Sequence, residues 1–360
     1  FGINKIVTIS ANDAWAIGAL DTGNYTKNAE RVSLVMEHWN GTNWQVVPTA
    51  DTAALFASVK NQIKGDTNEE TGLSDLAVVA SNNIWAIGSV GVWQVQQGVS
   101  SLPGASMKLI EHWDGKVWQL VDSPDIAGND LNSIAAVSAK DVWAVGGNTT
   151  HTERYTPLIE HWDGNSWQKV ALPASLPQGS LTKILATSAN DVWAFGASSA
   201  LQTASTVVLH WDGQKWSSAK FPESVLSDQL DDEAVVSPTN IWVVGVLQQG
   251  SFPLPFVLQH WDGHQWSHIA GARGVDSLSQ FFRIFANGAN DIWITGNTLD
   301  NKPLMEHWDG HQWSSVQPKL PPFGSVRGVV FVGSKIWVVT DVYKDGNGYP
   351  PTGSVLEASC

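Results

Sequence analysis

The phrase SANDVWAFG, residues 188–196, recurs in variant form along the whole chain, and no other feature constrains the fold as tightly. Aligning its Trp gives Trp15, Trp85, Trp143, Trp193, Trp242, Trp293 and Trp337. A second phrase follows each of the first six: EHWNGTNW, EHWDGKVW, EHWDGNSW, LHWDGQKW, QHWDGHQW and EHWDGHQW, with Trp pairs 39/44, 113/118, 162/167, 211/216, 261/266 and 308/313. These positions hold 19 of the 20 Trp, so the register of the repeat is unambiguous. Successive first-phrase Trp lie 70, 58, 50, 49, 51 and 44 residues apart. That spacing brackets the roughly 40–50 residues that a repeated four-stranded unit needs.

Each unit reads as four short strands. In the fourth, Leu181 to Thr187 is a first strand, Ser-Ala-Asn-Asp is a polar turn, and Val192 to Phe195 is a second strand of β-branched and aromatic residues. A longer connection leads to Thr206–Trp211, and Asp212-Gly213 is expected to make a two-residue hairpin turn before Lys215–Ala219. No helical periodicity interrupts the units. The expected fold is all-β: a seven-bladed β-propeller of four-stranded antiparallel blades in one domain over 1–360. Blades fall at about 1–48, 73–122, 131–172, 181–221, 230–270, 281–317 and 326–360, with insertions at about 49–71 and 89–108. The seventh unit departs from the pattern: Ala358 and Ser359 stand where the others have His and Trp, so its outer strand is expected to be missing. The unpaired edge left there invites strand addition from another chain.

Composition narrows the functional classes. A formal net charge of -14 argues against a phosphate backbone as partner, which demands clustered Lys and Arg. No apolar run reaches membrane-spanning length, and no N-terminal signal peptide is visible. The chain starts at Phe1 rather than Met, which reads as a processed or truncated product. The single cysteine, Cys360, permits no internal disulfide, and its last position leaves a free thiol, an intermolecular link or a truncation scar equally open.

Blades that pack face to face need a large flat apolar group at equivalent depth, and the in-register Trp supply it. Six of the ten His (His38, His112, His161, His210, His260, His307) directly precede the third-strand Trp. Each belongs to a different unit, so they cannot converge on one ion, and a hydrogen-bonding role is expected. No HExxH, cysteine pair or EF-hand pattern occurs. No cofactor is expected, with calcium a weak option at Asp341, Asp345 and Asn347 around the DGNG turn.

The combination of S-x-x-D-V-W-A-V-G with H-W-D-G-x-x-W resembles the tandem Trp-rich repeats of secreted or surface bacterial β-propellers, over essentially the whole chain. The resemblance implies a propeller fold and an extracellular or cell-surface setting. The W-D-G-x-x-W half is also similar to repeats of tectonin-like propeller lectins that bind sugars between blades. The rest of those repeats is not matched, and no binding residue is carried over.

Strand direction sorts the connections onto two faces, and the second-to-third and fourth-to-first connections on one face vary most. All four Tyr (Tyr25, Tyr155, Tyr343, Tyr349) and the only out-of-register Trp, Trp93, lie in second-to-third connections of units 7, 1, 2 and 3. These five are the candidate ligand-binding residues, suited to sugar rings or a protein partner, unless they serve only to pin long loops. Ten residues before each second-strand Trp stand Lys5, Asp75, Ser133, Lys183, Asp232, Arg283 and Arg327, a candidate polar mouth of a central channel. Glu233 takes a place that Ile6, Leu76, Ile134, Ile184 and Ile284 fill elsewhere, and a carboxylate there could act as a general acid or pair with Arg283 or Lys183. The sequons at Asn24, Asn40 and Asn148 are acceptors only in a glycosylating host.

The main expectation is a non-enzymatic extracellular binding module that takes carbohydrate or a surface partner through aromatic loops. The alternatives are a lyase or hydrolase with Asp232 or Glu233 as acid or base and Arg283 or Arg327 as anion clamp, or a structural subunit completed at the open edge of the last unit. No nucleophile with its base and no phosphate loop accompanies the enzymatic alternative.

Overall fold

The computed structural model describes residues 2–21, 30–61, 67–96, 99–124, 129–148, 156–198, 206–221, 229–246, 256–270, 280–298, 302–316, 324–332, 335–342 and 353–359. Its contacts divide the chain into two compact units: Phe1–Leu172 with Gln178–Ile184, and Pro173–Pro177 with Leu185–Cys360.

In the first unit, β1 (Gly2–Ser10), β2 (Asp13–Asp21), β3 (Glu30–Trp39) and β4 (Trp44–Val46) form the first repeat. The second repeat follows as β5 (Thr67–Ala80), β6 (Asn83–Gln96), β7 (Val99–Trp113) and β8 (Trp118–Leu120). The third is β9 (Asn129–Ser138), β10 (Asp141–Asn148), β11 (Thr156–Trp162) and β12 (Trp167–Lys169). The fourth repeat, β13 (Gly179–Ser188), β14 (Asp191–Ser198), β15 (Thr206–Trp211) and β16 (Trp216–Ser218), begins in the first unit and continues in the second. The second unit adds β17 (Gln229–Ser237), β18 (Asn240–Val246), β19 (Phe256–Trp261) and β20 (Trp266–His268). It continues with β21 (Gln280–Gly288), β22 (Asp291–Asn297), β23 (Pro303–Trp308) and β24 (Trp313–Val316), then β25 (Gly324–Val332), β26 (Lys335–Val342) and β27 (Gly353–Ser359).

The expected count of seven blades is corrected to six. Among the described residues the repeats form one eight-stranded sheet, four four-stranded sheets and one three-stranded sheet, β25-β26-β27. The first two repeats share the large sheet because β3 and β5 meet in a short parallel ladder, with Glu30 opposite Glu69 and Val32 opposite Glu70. Both strands overrun the repeat: β3 has 10 residues and β5 has 14, against 6 in β15 and 9 in β17. Their extended ends leave backbone groups that pair with each other rather than with solvent.

Two further expectations are corrected. The insertion after the first repeat carries one helix, α1 (Ala53–Lys60), whose Leu55, Phe56 and Val59 pack with Val92 and Met107. The second insertion prolongs the β6–β7 hairpin, with Val92 opposite Ala105. The W-D-G turn has four residues, not two, because Trp211 pairs with Trp216 across it. The Asp212 carboxylate accepts the N–H groups of Gln214 and Lys215 at 2.9 Å each, so the side chain closes the loop that a two-residue turn closes by backbone alone. Gly213 sits at φ 88°, and a Cβ there would meet Asn190 Oδ1 at 2.5 Å. The turn between the third and fourth strands is thereby seated on the turn between the first and second.

Candidate functional site

The His–Trp phrase builds a clamp inside each repeat. His38, His112, His161, His210, His260 and His307 lie over Trp15, Trp85, Trp143, Trp193, Trp242 and Trp293 at ring-centroid distances of 4.0–4.4 Å. The imidazole Nε2–H donates to Asp13, Asn83, Asp141, Asp191, Asn240 and Asp291, respectively, at 2.6–2.9 Å. The conserved spacing of D-x-W and H-W in this chain is thus one hydrogen bond and one ring contact written repeatedly. Where the partner is an amide, burial lowers the pKa of His112 and His260, opposed by Asp114 and Asp262. Burial works against the Asp191 carboxylate, but donors from His210, Thr187 and Trp193 outweigh it and hold its pKa below the usual value.

The Trp also pack from one repeat to the next. Trp15 contacts Trp113 and Trp118, Trp85 contacts Trp162 and Trp167, Trp193 contacts Trp261 and Trp266, and Trp242 contacts Trp308 and Trp313, at centroid distances of 4.9–5.9 Å.

The residues expected at a channel mouth are placed differently from one another. Asp75, Ser133 and Asp232 are buried. Each follows a bulge in the first strand, at the register shifts Leu73/Asp75, Val145/Gly146 opposite Ser133/Leu131, and Leu230/Asp232. Asp75 accepts the Ile134 N–H at 3.1 Å and the Ser133 hydroxyl at 2.8 Å, Ser133 accepts the Ile184 N–H at 3.3 Å, and Asp232 accepts the Ile284 N–H at 3.1 Å. The bulged residues reach the same way, with Asn4 donating to the Leu73 carbonyl, Ser74 to Leu131 and Asn132 to Leu181. These groups fasten one repeat to the next, a role invisible without the bulge. Lys5 pairs with Asp75 at 3.4 Å, and Arg283 donates to the Phe282 carbonyl. Lys183 and Glu233 are half-buried, and Arg327 is described by its backbone in β25 alone.

A row of three carboxylates and one amide also went unrecognised in the sequence. The residue before each clamp His is wholly buried at Glu111, Glu160, Gln259 and Glu306, each 0% exposed. Glu111 accepts the Ala50 N–H at 3.3 Å, from the connection leaving the first repeat. Burial pushes its pKa up to about 7, against the lowering effect of that hydrogen bond. Glu160 is met by the buried ammonium of Lys108, which also donates to the Pro124 carbonyl.

In the second unit, the interface between the fourth and fifth repeats differs from its counterparts. It holds a cavity of about 500 Å³ lined by Trp193, Ala219, Lys220, Phe221, Trp261, His264, Gln265 and Trp266. Three residues after each fourth-strand Trp stand Val47, Val121, Val170, Ala219, Ile269 and Val316, and the N–H groups of the first five bond equivalently to Met36, Ile110, Ile159, Val208 and Leu258. Val47, Val121 and Ile269 fill the space against the Trp cluster of their own interface. Ala219 packs against the cluster of Trp193 and Trp266 as well, but with a smaller side chain. Two positions on, Phe221 provides a wall against Trp266 at 5.1 Å, where the other repeats have Thr49, Ser123, Leu172, Gly271 and Pro318, none of them aromatic. Trp261 engages its N–H with the Pro238 carbonyl, so its ring is what it offers to the cavity. Lys220, His264 and Gln265 form an exposed polar lip.

The expected aromatic patch of Tyr25, Tyr155, Tyr343 and Tyr349 lies outside the described residues, as do Asp345 and Asn347. Trp93 and Asp341 are described by backbone only, opposite Asn68 and Ser325. Among the described residues no helix is long and apolar enough to cross a membrane.

No protein-family model and no curated protein sequence matches the chain. Solved structures do. The chain is similar to the β-propeller domain of the Trilobed protease from Pyrococcus furiosus, at 9% identity and TM-score 0.55, over 94% of this chain and 89% of that one. It is similar to YCF48 bound to a D1 peptide, at 16% identity and TM-score 0.50, over 75% of each chain. The SapL1 lectin in complex with α-methyl fucoside matches at 14% identity and TM-score 0.49, over 89% and 97%. The first two likenesses, taken with the repeated sheets, show the fold: an all-β β-propeller of four-stranded antiparallel blades.

Proposed function

We propose that the protein is a non-enzymatic binding module, acting outside the cell or at its surface, that takes carbohydrate in the cleft between its fourth and fifth repeats. The carrying observation is the Ala219 cavity, walled by Trp193, Trp261, Trp266 and Phe221 and edged by Lys220, His264 and Gln265. A volume of about 500 Å³ is within the usual range of small-molecule sites, and aromatic faces beside a few hydrogen-bonding groups match the apolar and hydroxylated sides of a pyranose. The buried carboxylates Asp75 and Asp232 accept backbone N–H groups of the following repeat, which gives them a fastening role.

The test is a glycan array with the parent chain and two variants. Ala219→Ile, which copies the residue of the fifth repeat, is expected to keep the thermal transition and lose binding at least tenfold. Phe221→Ala is expected to weaken binding about tenfold by removing one aromatic wall. Binding that survives Ala219→Ile unchanged sets the cleft aside. Silence of the parent across the array overturns the carbohydrate reading and leaves a protein partner to be sought.

A further inference from the structure

We infer that the cleft selects sugars that carry a carboxylate, with Lys220 as the selecting residue; this rests on the carbohydrate reading above. The chain carries 34 acidic and 20 basic residues, yet among the described residues no Asp or Glu lines the cavity. Its polar lip carries the Lys220 ammonium, which only donates, beside the Gln265 amide and the His264 ring, each of which can donate. The carboxylate nearest in sequence, Asp262, is committed to the turn, where it accepts the N–H groups of His264 and Gln265 at 2.8 Å each. Those two bonds hold its pKa below the usual range.

Lys220 itself is what separates this interface from its counterparts. The equivalent positions are Pro48, Asp122, Ala171, Ala270 and Gln317, so no other repeat places a base there. Among the described residues Lys220 has no ion-pair or hydrogen-bond partner, while Lys5, Lys60 and Lys108 pair with Asp75, Glu69 and Glu160. An ammonium on the lip of an aromatic cleft, in a protein whose net charge repels anions, attracts an acidic ligand only at short range. The aromatic walls then supply the contact for the ring, and the ammonium chooses between rings by charge.

The experiment pairs each acidic glycan with a neutral counterpart of the same skeleton: oligogalacturonate with its methyl ester, glucuronides with glucosides, and sialylated with asialo chains. The full chain is expected to bind the acidic member about fivefold more tightly, the worth of one exposed ion pair. Lys220→Gln is expected to erase that preference, so that the two members of each pair bind equally whatever their absolute affinity. Raising NaCl from about 0.05 to 0.5 M is expected to weaken the acidic member alone. Equal binding of both members, or a preference that persists in Lys220→Gln, overturns the charge selection and leaves carbohydrate binding standing. If no member of any pair binds, both readings fall together.

Discussion

Lys108→Met is expected to destabilise the first unit by about 3–5 kcal/mol, because it leaves the Glu160 carboxylate buried without its ammonium. Both side chains are all but sealed from solvent, at 1% and 0% exposure, so water cannot replace the lost partner. The Pro124 carbonyl loses a donor in the same step. For a unit of this size the loss corresponds to a fall in Tm of roughly 6–20 °C, read by calorimetry. A second variant fixes the cause: Lys108→Met with Glu160→Leu removes both charges and is expected to recover most of the stability, since an apolar pair of similar volume carries no desolvation cost. A double variant no more stable than the single one would place the loss in packing rather than charge.

Glu111→Gln is expected to stabilise the protein at alkaline pH and to leave it nearly unchanged at pH 5. The sign follows from linkage. A carboxyl raised from 4.5 to about 7 in the folded state favours folding fully below about 4.5, and that contribution is lost as pH rises through about 7. Glutamine has no proton to lose, so it escapes the penalty, which amounts to about 3 kcal/mol above pH 8. It retains an oxygen for the Ala50 N–H, and the fifth repeat already has Gln259 at the same place, equally buried. Any His contribution is common to parent and variant and drops out of the comparison. Thermal melts of both proteins at pH 5 and pH 8 read the difference; equal stability at pH 8 would mean that the ionised carboxylate is solvated well enough to offset its burial.

Much of the local structure is legible in the sequence. The Trp register locates the strands, and the separation of the six His into six repeats leads to the hydrogen bonds that the clamp makes. The joining of the first two repeats is not legible, since it rests on Glu30, Val32, Glu69 and Glu70 at overrunning strand ends, where no hydrophobic pattern marks a parallel ladder. The channel reading faltered on register: counting ten residues back from each Trp reaches Asp75 and Asp232, but only the bulge before them turns their carboxylates toward the next repeat. Ala219 was visible as a small residue among Val47, Val121 and Ile269, yet its consequence is a missing volume, and volume is a property of neighbours distant in sequence. The burial of Glu111, Glu160, Gln259 and Glu306 is not legible either: three are charged residue types, and Glu111 is met by Ala50 from a connection distant in sequence.

The fasteners after the bulges bear on how such a chain grows. Asp75 reaches Ile134, Ser133 reaches Ile184 and Asp232 reaches Ile284, each one repeat ahead and none further. A gene segment duplicated from any point in a repeat that carries such an acceptor to the same point in the next would carry a donor and an acceptor for the junction it creates. An out-of-phase duplication would strand a carboxylate with no N–H to accept. The lineage of such a chain can therefore change its number of repeats in whole steps, and each junction remains free to acquire a difference as small as Ala219.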